Sequence, residues 1–330
     1  MKFDKLLTMK LAVLLLVVFY LVAYFCLGCA TTSTSPPDGR IAEPTAKSLH
    51  ILYFPETGHS LQSPFLAYYL SNQGLNRLGY PITEALTHEG WQVQYFQNAR
   101  LEIHPENDPA YFITVGWLGQ LNHRTQAPIH HQNALQDTKT EYHFFPETGH
   151  TLSGDFLTFF RANGDTVQFG RPISEPFIHR GRISQDFQSA RFIWYPDLPP
   201  QARVQLEPLG ETYFLSSGLS LRLLDPIPPP PNATRNEHPL VSLPENTEVK
   251  LTIETTPNPA IIRVIATFFV SDLPLENYTP LLSWGENRRE LPPTRSSGQT
   301  HTLINISMSP TETFRLYTIS GQKELASITY

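Results

Sequence analysis

Apolar residues are arranged along this chain in three different ways. Near the start a single apolar run, Leu11 to Leu27, follows Lys2, Lys5 and Lys10. Further on the spacing becomes helical: Leu61, Phe65, Leu66 and Tyr69 share one face, and Leu152, Phe156, Leu157 and Phe160 do the same 91 residues later. Ser63-Pro64 and Ser153 predict the starts of these two helices, Gly74 and Gly164 their ends. After a turn at Gly79-Tyr80-Pro81, and again at Gly170-Arg171-Pro172, alternation takes over. In the first stretch Trp91 to Phe96 and Ala99 to His104 read as strands joined at Gln97-Asn98, with a third over Phe112 to Val115. Beyond residue 240 only strand patterns remain: Val249, Leu251 and Ile253 alternate with polar residues, Ile261 to Val270 is β-branched and aromatic, and Leu303–Met308, Phe314–Thr318 and Ala326–Tyr330 follow.

The offset of 91 is a sequence repeat. Residues 53–105 and 144–196 align without a gap and agree at 22 of 53 positions, and Leu118-Gly119 falls on Leu209-Gly210. A unit of about 68 residues, present twice, is a supersecondary module with too little core to be stable alone. The fold expected is α+β: two tandem small α+β repeats followed by an immunoglobulin-like β-sandwich. The boundaries that follow are a signal peptide (1–28), a tether (29–48), repeat 1 (49–121), a connector (122–141), repeat 2 (142–212), a Pro-rich linker region (213–238) and the β-sandwich (239–330). Pro226 to Pro231 predicts a stiff spacer crossed by few contacts, which would let the sandwich fold independently.

The leader changes the picture of where this happens. Three lysines, the apolar run and Gly28-Cys29-Ala30 have the form of an export signal, and Cys29 after Leu27-Gly28 resembles a lipobox, whose cysteine is acylated. The run is nearly long enough to remain as an uncleaved transmembrane anchor, the alternative reading. Either way an extracytoplasmic, membrane-anchored protein is expected, held off the surface by TTSTSPPDGRIAEPTAKS. Cys26 and Cys29 are the only cysteines, which excludes a disulfide, a thiolate metal site or a cysteine nucleophile beyond residue 29. The formal charge of −6 becomes −8 once the leader's three Lys and one Asp are removed, which argues against nucleic acid as a partner.

Within the repeats, Leu78-Gly79-Tyr80-Pro81-Ile82-Thr83-Glu84 with Gly90, Gln94 and Phe96, and Phe169-Gly170-Arg171-Pro172-Ile173-Ser174-Glu175 with Gly181, Gln185 and Phe187, resemble the LGFP repeats of exported bacterial proteins. About 30 residues of each copy carry the resemblance. It implies association with the cell wall, often beside a hydrolase. The Pro-Glu-Thr-Gly-His unit in front, and Ala99-Arg100 and Ala190-Arg191 where the family commonly has Gly, depart from it.

Candidate chemistry is sparse. His-Glu-x-x-His, Gly-x-Ser-x-Gly and phosphate-loop motifs do not occur, so no cofactor or metal centre is expected. Glu56 with His59, and Glu147 with His150, are the one suggestive set, since a carboxylate and an imidazole three residues apart could share a proton or a ligand. Against that stands a structural role for both pairs in capping a tight turn. Glu84 and Glu175 read as capping groups in their own turns. Arg100 and Arg191 could hold an acidic ligand group or pair with a neighbouring carboxylate. The expectation is a non-enzymatic, surface-anchored envelope-binding or adhesion lipoprotein whose partner is cell-wall glycan or a surface protein. A wall hydrolase using the Glu/His pairs, and a stalk presenting a protein-binding sandwich, are the alternatives.

Overall fold

In front of each repeat's helix lies a hairpin. β1 (Ile51–Phe54) pairs antiparallel with β2 (His59–Gln62), and β7 (Tyr142–Phe145) pairs the same way with β8 (His150–Ser153). Leu61 and Leu152, expected on helices, are therefore strand residues, and Pro-Glu-Thr-Gly is the hairpin turn. The helices themselves cover Phe65–Ser71 and Gly154–Ala162. Pro64 takes the N-cap position rather than the first turn, and neither Pro64 nor Ser153 makes a side-chain capping bond. Gly74 and Gly164, expected as stops, stand instead at the start of second short helices, Gly74–Arg77 and Asp165–Phe169.

A four-stranded antiparallel meander follows in each copy. The first runs β3 (Leu86–His88), β4 (Trp91–Tyr95), β5 (Arg100–Ile103), β6 (Ile113–Val115); the second runs β9 (Phe177–His179), β10 (Arg182–Asp186), β11 (Arg191–Trp194), β12 (Val204–Leu206). All six strands of the first copy recur at an offset of 91. The register recurs too, with Tyr95 opposite Arg100 and Asp186 opposite Arg191. Each copy buries its own cluster, built on Phe54, Leu66, Tyr69, Phe96 and Leu101 in the first and on Phe145, Phe160, Phe169, Phe187 and Phe192 in the second. This computed structural model describes residues 50–122, 124–129, 141–237, 241–306 and 311–330. The leader, Cys29, the tether and most of the connector lie outside those residues, and among the described ones no helix is long and apolar enough to cross a membrane.

The two copies are joined by an exchange. The helix after β6 (Leu118–Leu121) leaves its own repeat and sets Gly119 against the backbone carbonyls of Phe187 and Gln188 in the second copy. Its counterpart (Leu209–Ser216) sets Gly210 against the carbonyls of Phe96 and Ala99 in the first. The amide of Gln120 donates to Gln188 O at 3.2 Å, and that of Glu211, 91 residues later, donates to Gln97 O at 3.1 Å. A second exchange runs through the prolines. Pro226 covers Gly58 in the first copy and Ile227 N donates to Gly58 O at 2.8 Å, while Pro128 covers Gly149 in the second and Ile129 N donates to Gly149 O at 2.9 Å.

The proline run is thus not an isolated spacer. Tyr53 Oη donates to Ile227 O at 3.0 Å, Asn236 N donates to Tyr53 O at 2.7 Å, and β13 (Thr234–Arg235) adds in parallel to β1. A proline lacks the amide donor, but its ring covers a glycine, and the next residue supplies the bond.

The C-terminal region forms two four-stranded sheets. One holds β14 (Thr247–Thr255), β15 (Ile261–Val270), β16 (Leu273–Pro274) and β19 (Gln299–Asn305); the other holds β17 (Leu281–Trp284), β18 (Asn287–Glu290), β20 (Thr313–Tyr317) and β21 (Glu324–Thr329). One apolar cluster draws Ile262, Val264, Phe268 and Ile304 from the first sheet and Leu282, Phe314 and Leu316 from the second. A further cluster ties this region to the repeats: Ile82, Val93 and Tyr95 meet Phe214 and Leu215 of the exchanged helix and Ile261 of β15. The described residues accordingly fall in one compact unit. The architecture is mixed and rich in strand, and the apolar stretch from Tyr213 to Leu224, expected in the linker, is packed inside it.

Neither Gly119 nor Gly210 has a positive φ, so only space forbids a side chain there. Because a methyl would overlap a carbonyl oxygen of rigid backbone, Gly119→Ala and Gly210→Ala should each cost about 2 kcal/mol or more. Chemical denaturation measures this. Wild-type stability in both variants would show that the exchange does not hold the repeats together.

Candidate functional site

The residues singled out by sequence are mostly engaged within their own copies. His59 is 2% exposed, and its partner is Glu84, 25 residues away, rather than Glu56. Glu84 accepts hydrogen bonds from Ser60 N at 2.8 Å and Ser60 Oγ at 2.6 Å, and its Oε1 lies 3.4 Å from His59 Nδ1, long for a hydrogen bond. The second copy repeats the clamp more tightly. Glu175 accepts from Thr151 N at 2.9 Å and Thr151 Oγ1 at 2.5 Å, with His150 Nδ1 at 3.2 Å. Burial alone would raise the Glu84 carboxyl, but His59 and the two Ser60 donors outweigh it and hold the group below the ordinary value. Gln94 and Gln185 complete each clamp: Gln94 Nε2 donates to Ser60 O and Thr83 O, and Gln185 Nε2 donates to Thr151 O and Ser174 O.

Arg100 and Arg191 are buried and paired. Arg100 reaches Glu102 Oε1 with Nε at 2.8 Å and Glu89 with Nη1 at 2.7 Å, and lies over the Tyr213 ring. Arg191 donates from Nε to Asp186 Oδ1 at 2.6 Å and meets Glu207 at 3.1 Å. The second carboxylate comes from different places in the two copies. Glu102 corresponds to Ile193, and Glu207 corresponds to Gly116, the position that leaves space for the Glu102 carboxylate. An acid lost at one aligned position and regained at another was a signal the aligned copies carried. Burial opposes ionisation of Glu207, but His179, Arg191 and Arg124 pull it down to about 2. Glu147, exposed, pairs with Arg171 at 3.0 Å.

Glu56 and His59 also line a cavity of about 250 Å³ between the first repeat, the segment 221–226 and the C-terminal sheets. Its wall includes Glu211, Arg222, Asp225, Arg289, His301 and Asn305, none of which sequence reasoning had singled out. Glu211, 2% exposed on the exchanged helix, accepts from Arg263 Nε at 3.0 Å and lies 2.8 Å from His301 Nε2. Arg295 bonds Gln97 beside them. No group of three or more potential metal ligands occurs among the described residues.

No protein-family model matches this chain, and no curated protein matches it significantly. The resemblance to LGFP repeats therefore stands on its motif residues alone.

Removing one partner of a clamp strands the others. Glu84→Ala leaves the buried Ser60 amide without its acceptor and should cost about 1–3 kcal/mol, with Glu175→Ala behaving alike. Equal melting temperatures of both variants and wild type would exclude a structural clamp. Acid should act through Glu207, whose folded value is depressed from 4.5 to about 2. Its contribution is present above about pH 4.5 and fades as the pH falls toward 2. Melting temperature against pH should drop less steeply across that window in Glu207→Gln than in wild type, and parallel curves would remove Glu207 from the acid response.

Proposed function

We propose that this is a surface-anchored, non-enzymatic binding lipoprotein of the cell envelope, acylated at Cys29. Its finer architecture on this reading is two tandem α+β repeats, interlocked, followed by an immunoglobulin-like β-sandwich, with cell-wall glycan or a surface protein as partner. One observation carries the reading. Of the polar groups kept in both copies, His59 and His150, Glu84 and Glu175, Gln94 and Gln185, and Arg100 and Arg191 are engaged inside their own repeat, while Gln97 and Gln188 reach outside it. What the duplication preserves is therefore a scaffold, and a tethered scaffold serves to bind or to space. The net charge of −8 without the leader favours a neutral or cationic surface over an anionic polymer.

The test uses the Cys29→Ser chain, which should leave the membrane fraction and supply a soluble form. Mixed with isolated cell wall, it should co-sediment saturably and be competed by soluble wall fragments. A protein that stays in the supernatant at every wall concentration would sink the wall-binding reading, and one that stays in the membrane would sink the lipid anchor.

A further inference from the structure

A second cavity, of about 350 Å³, lies where the two copies and the C-terminal region meet. Its wall is rich in carboxamides. The first copy contributes Asn76 and Asn98, the second Asn163, Gln201 and Gln205, and the C-terminal region Asn277. Tyr80 and the half-buried Phe159 add aromatic surface. The charged side chains there are Glu276 and Arg295, which cancel, and the Arg295 guanidinium is bonded to Gln97. By contrast, the cavity at Glu56 and His59 is walled by acids and arginines, with Asn305 as its carboxamide.

The repeat makes this concentration of amides informative. Asn76 and Asn98 stand where the second copy has Val167 and Ser189, and Gln201 and Gln205 stand where the first has Ala110 and Thr114. Asn163 is matched by Asn72, and both close a helix, with Nδ2 donating to Phe159 O at 2.9 Å and to Tyr68 O at 2.8 Å. A capping role thus accounts for Asn163. It does not account for the other four, each of which occurs only in the copy whose residue faces this cavity.

A carboxamide offers two donors and an acceptor in one plane and carries no charge. A sugar hydroxyl also donates and accepts, so neighbouring hydroxyls pair with such groups without an ion having to leave water. The C–H face of a sugar ring packs on an aromatic side chain. An ionised ligand would find no net counter-charge on this wall. The space, about a dozen water molecules' worth, holds a mono- or disaccharide.

We propose that this junction is a binding site for a neutral sugar, hydrogen-bonded by Asn76, Gln201, Gln205 and Asn277 beside Phe159. The inference deepens the binding reading above and rests on it: of the two partners named there, it selects the glycan.

The experiment is calorimetric titration of the full chain, in a sugar-free detergent and without wall, with diacetylchitobiose, cellobiose and maltose, each to about 10 mM. At least one of them should saturate a single site. Asn76→Ala, Gln201→Ala and Asn277→Ala each change an exposed residue, one from each part of the protein. Each should weaken that sugar by about threefold to tenfold with the melting temperature unchanged. Gln205→Ala replaces any of the three that fails to fold. Loss of affinity in at least two variants supports the site; wild-type affinity in two or more, or no saturation by any of the three sugars, overturns it. Because no wall is present, saturation beside failed co-sedimentation overturns only the wall partner, and co-sedimentation without saturation overturns only this site.

Discussion

Close approach of two glycines to foreign backbone organises this protein. Gly119 and Gly210 let the helix that ends each repeat press onto the carbonyl oxygens of the other repeat's turn. At that distance Gln120 N and Glu211 N find acceptors outside their own copy, so backbone bonds as well as apolar area are shared. A module of this size has little core of its own. By giving away its last helix and receiving its twin's, each copy gains contacts outside the cluster that it buries by itself. The Pro-Ile straps over Gly58 and Gly149 repeat the logic at a second place, which makes the interlock two-sided.

An exact exchange would give a symmetric pair, and among the positions where the copies differ one bears on the exchanged helix itself. Where the first copy has Gln120, the second has Glu211, and this carboxylate is buried against Arg263 and His301 of the C-terminal sheets. Removing one partner of such a buried set is costly even where the set as a whole adds little stability, so its chief effect is to specify which face the sheets cover. The apolar cluster of Ile82, Tyr95, Phe214 and Ile261 supplies the contact area around it. The sheets also meet the second copy, where Arg180 reaches Glu254 at 3.3 Å, but it is against the first that they turn the Glu56–His59 turn into the wall of a cavity.

The sequence made β4, β5 and β6 of the first meander and β14, β15, β20 and β21 of the C-terminal sheets legible through their apolar pattern, and β19 in part, but passed over the short β3, β16, β17 and β18. It misled at the hairpins. His59 and Ser60 are buried polar residues, so the apolar pattern skips them and appends Leu61 to the helix that follows. Their burial is possible only because Glu84 arrives from 25 residues away, a contact that no local spacing announces. The same blindness paired His59 with Glu56, three positions off, when its real neighbour was remote. The proline run misled differently: its stiffness was read correctly, but stiffness does not imply solvation when a glycine stands opposite.

Comparison between the copies reads further than either copy alone. Positions that agree, such as His59 and His150, mark the clamp that both must build. Positions that trade places mark a requirement met twice by different means: Glu102 against Ile193, and Gly116 against Glu207, show that each buried arginine needs a carboxylate and is indifferent to its origin.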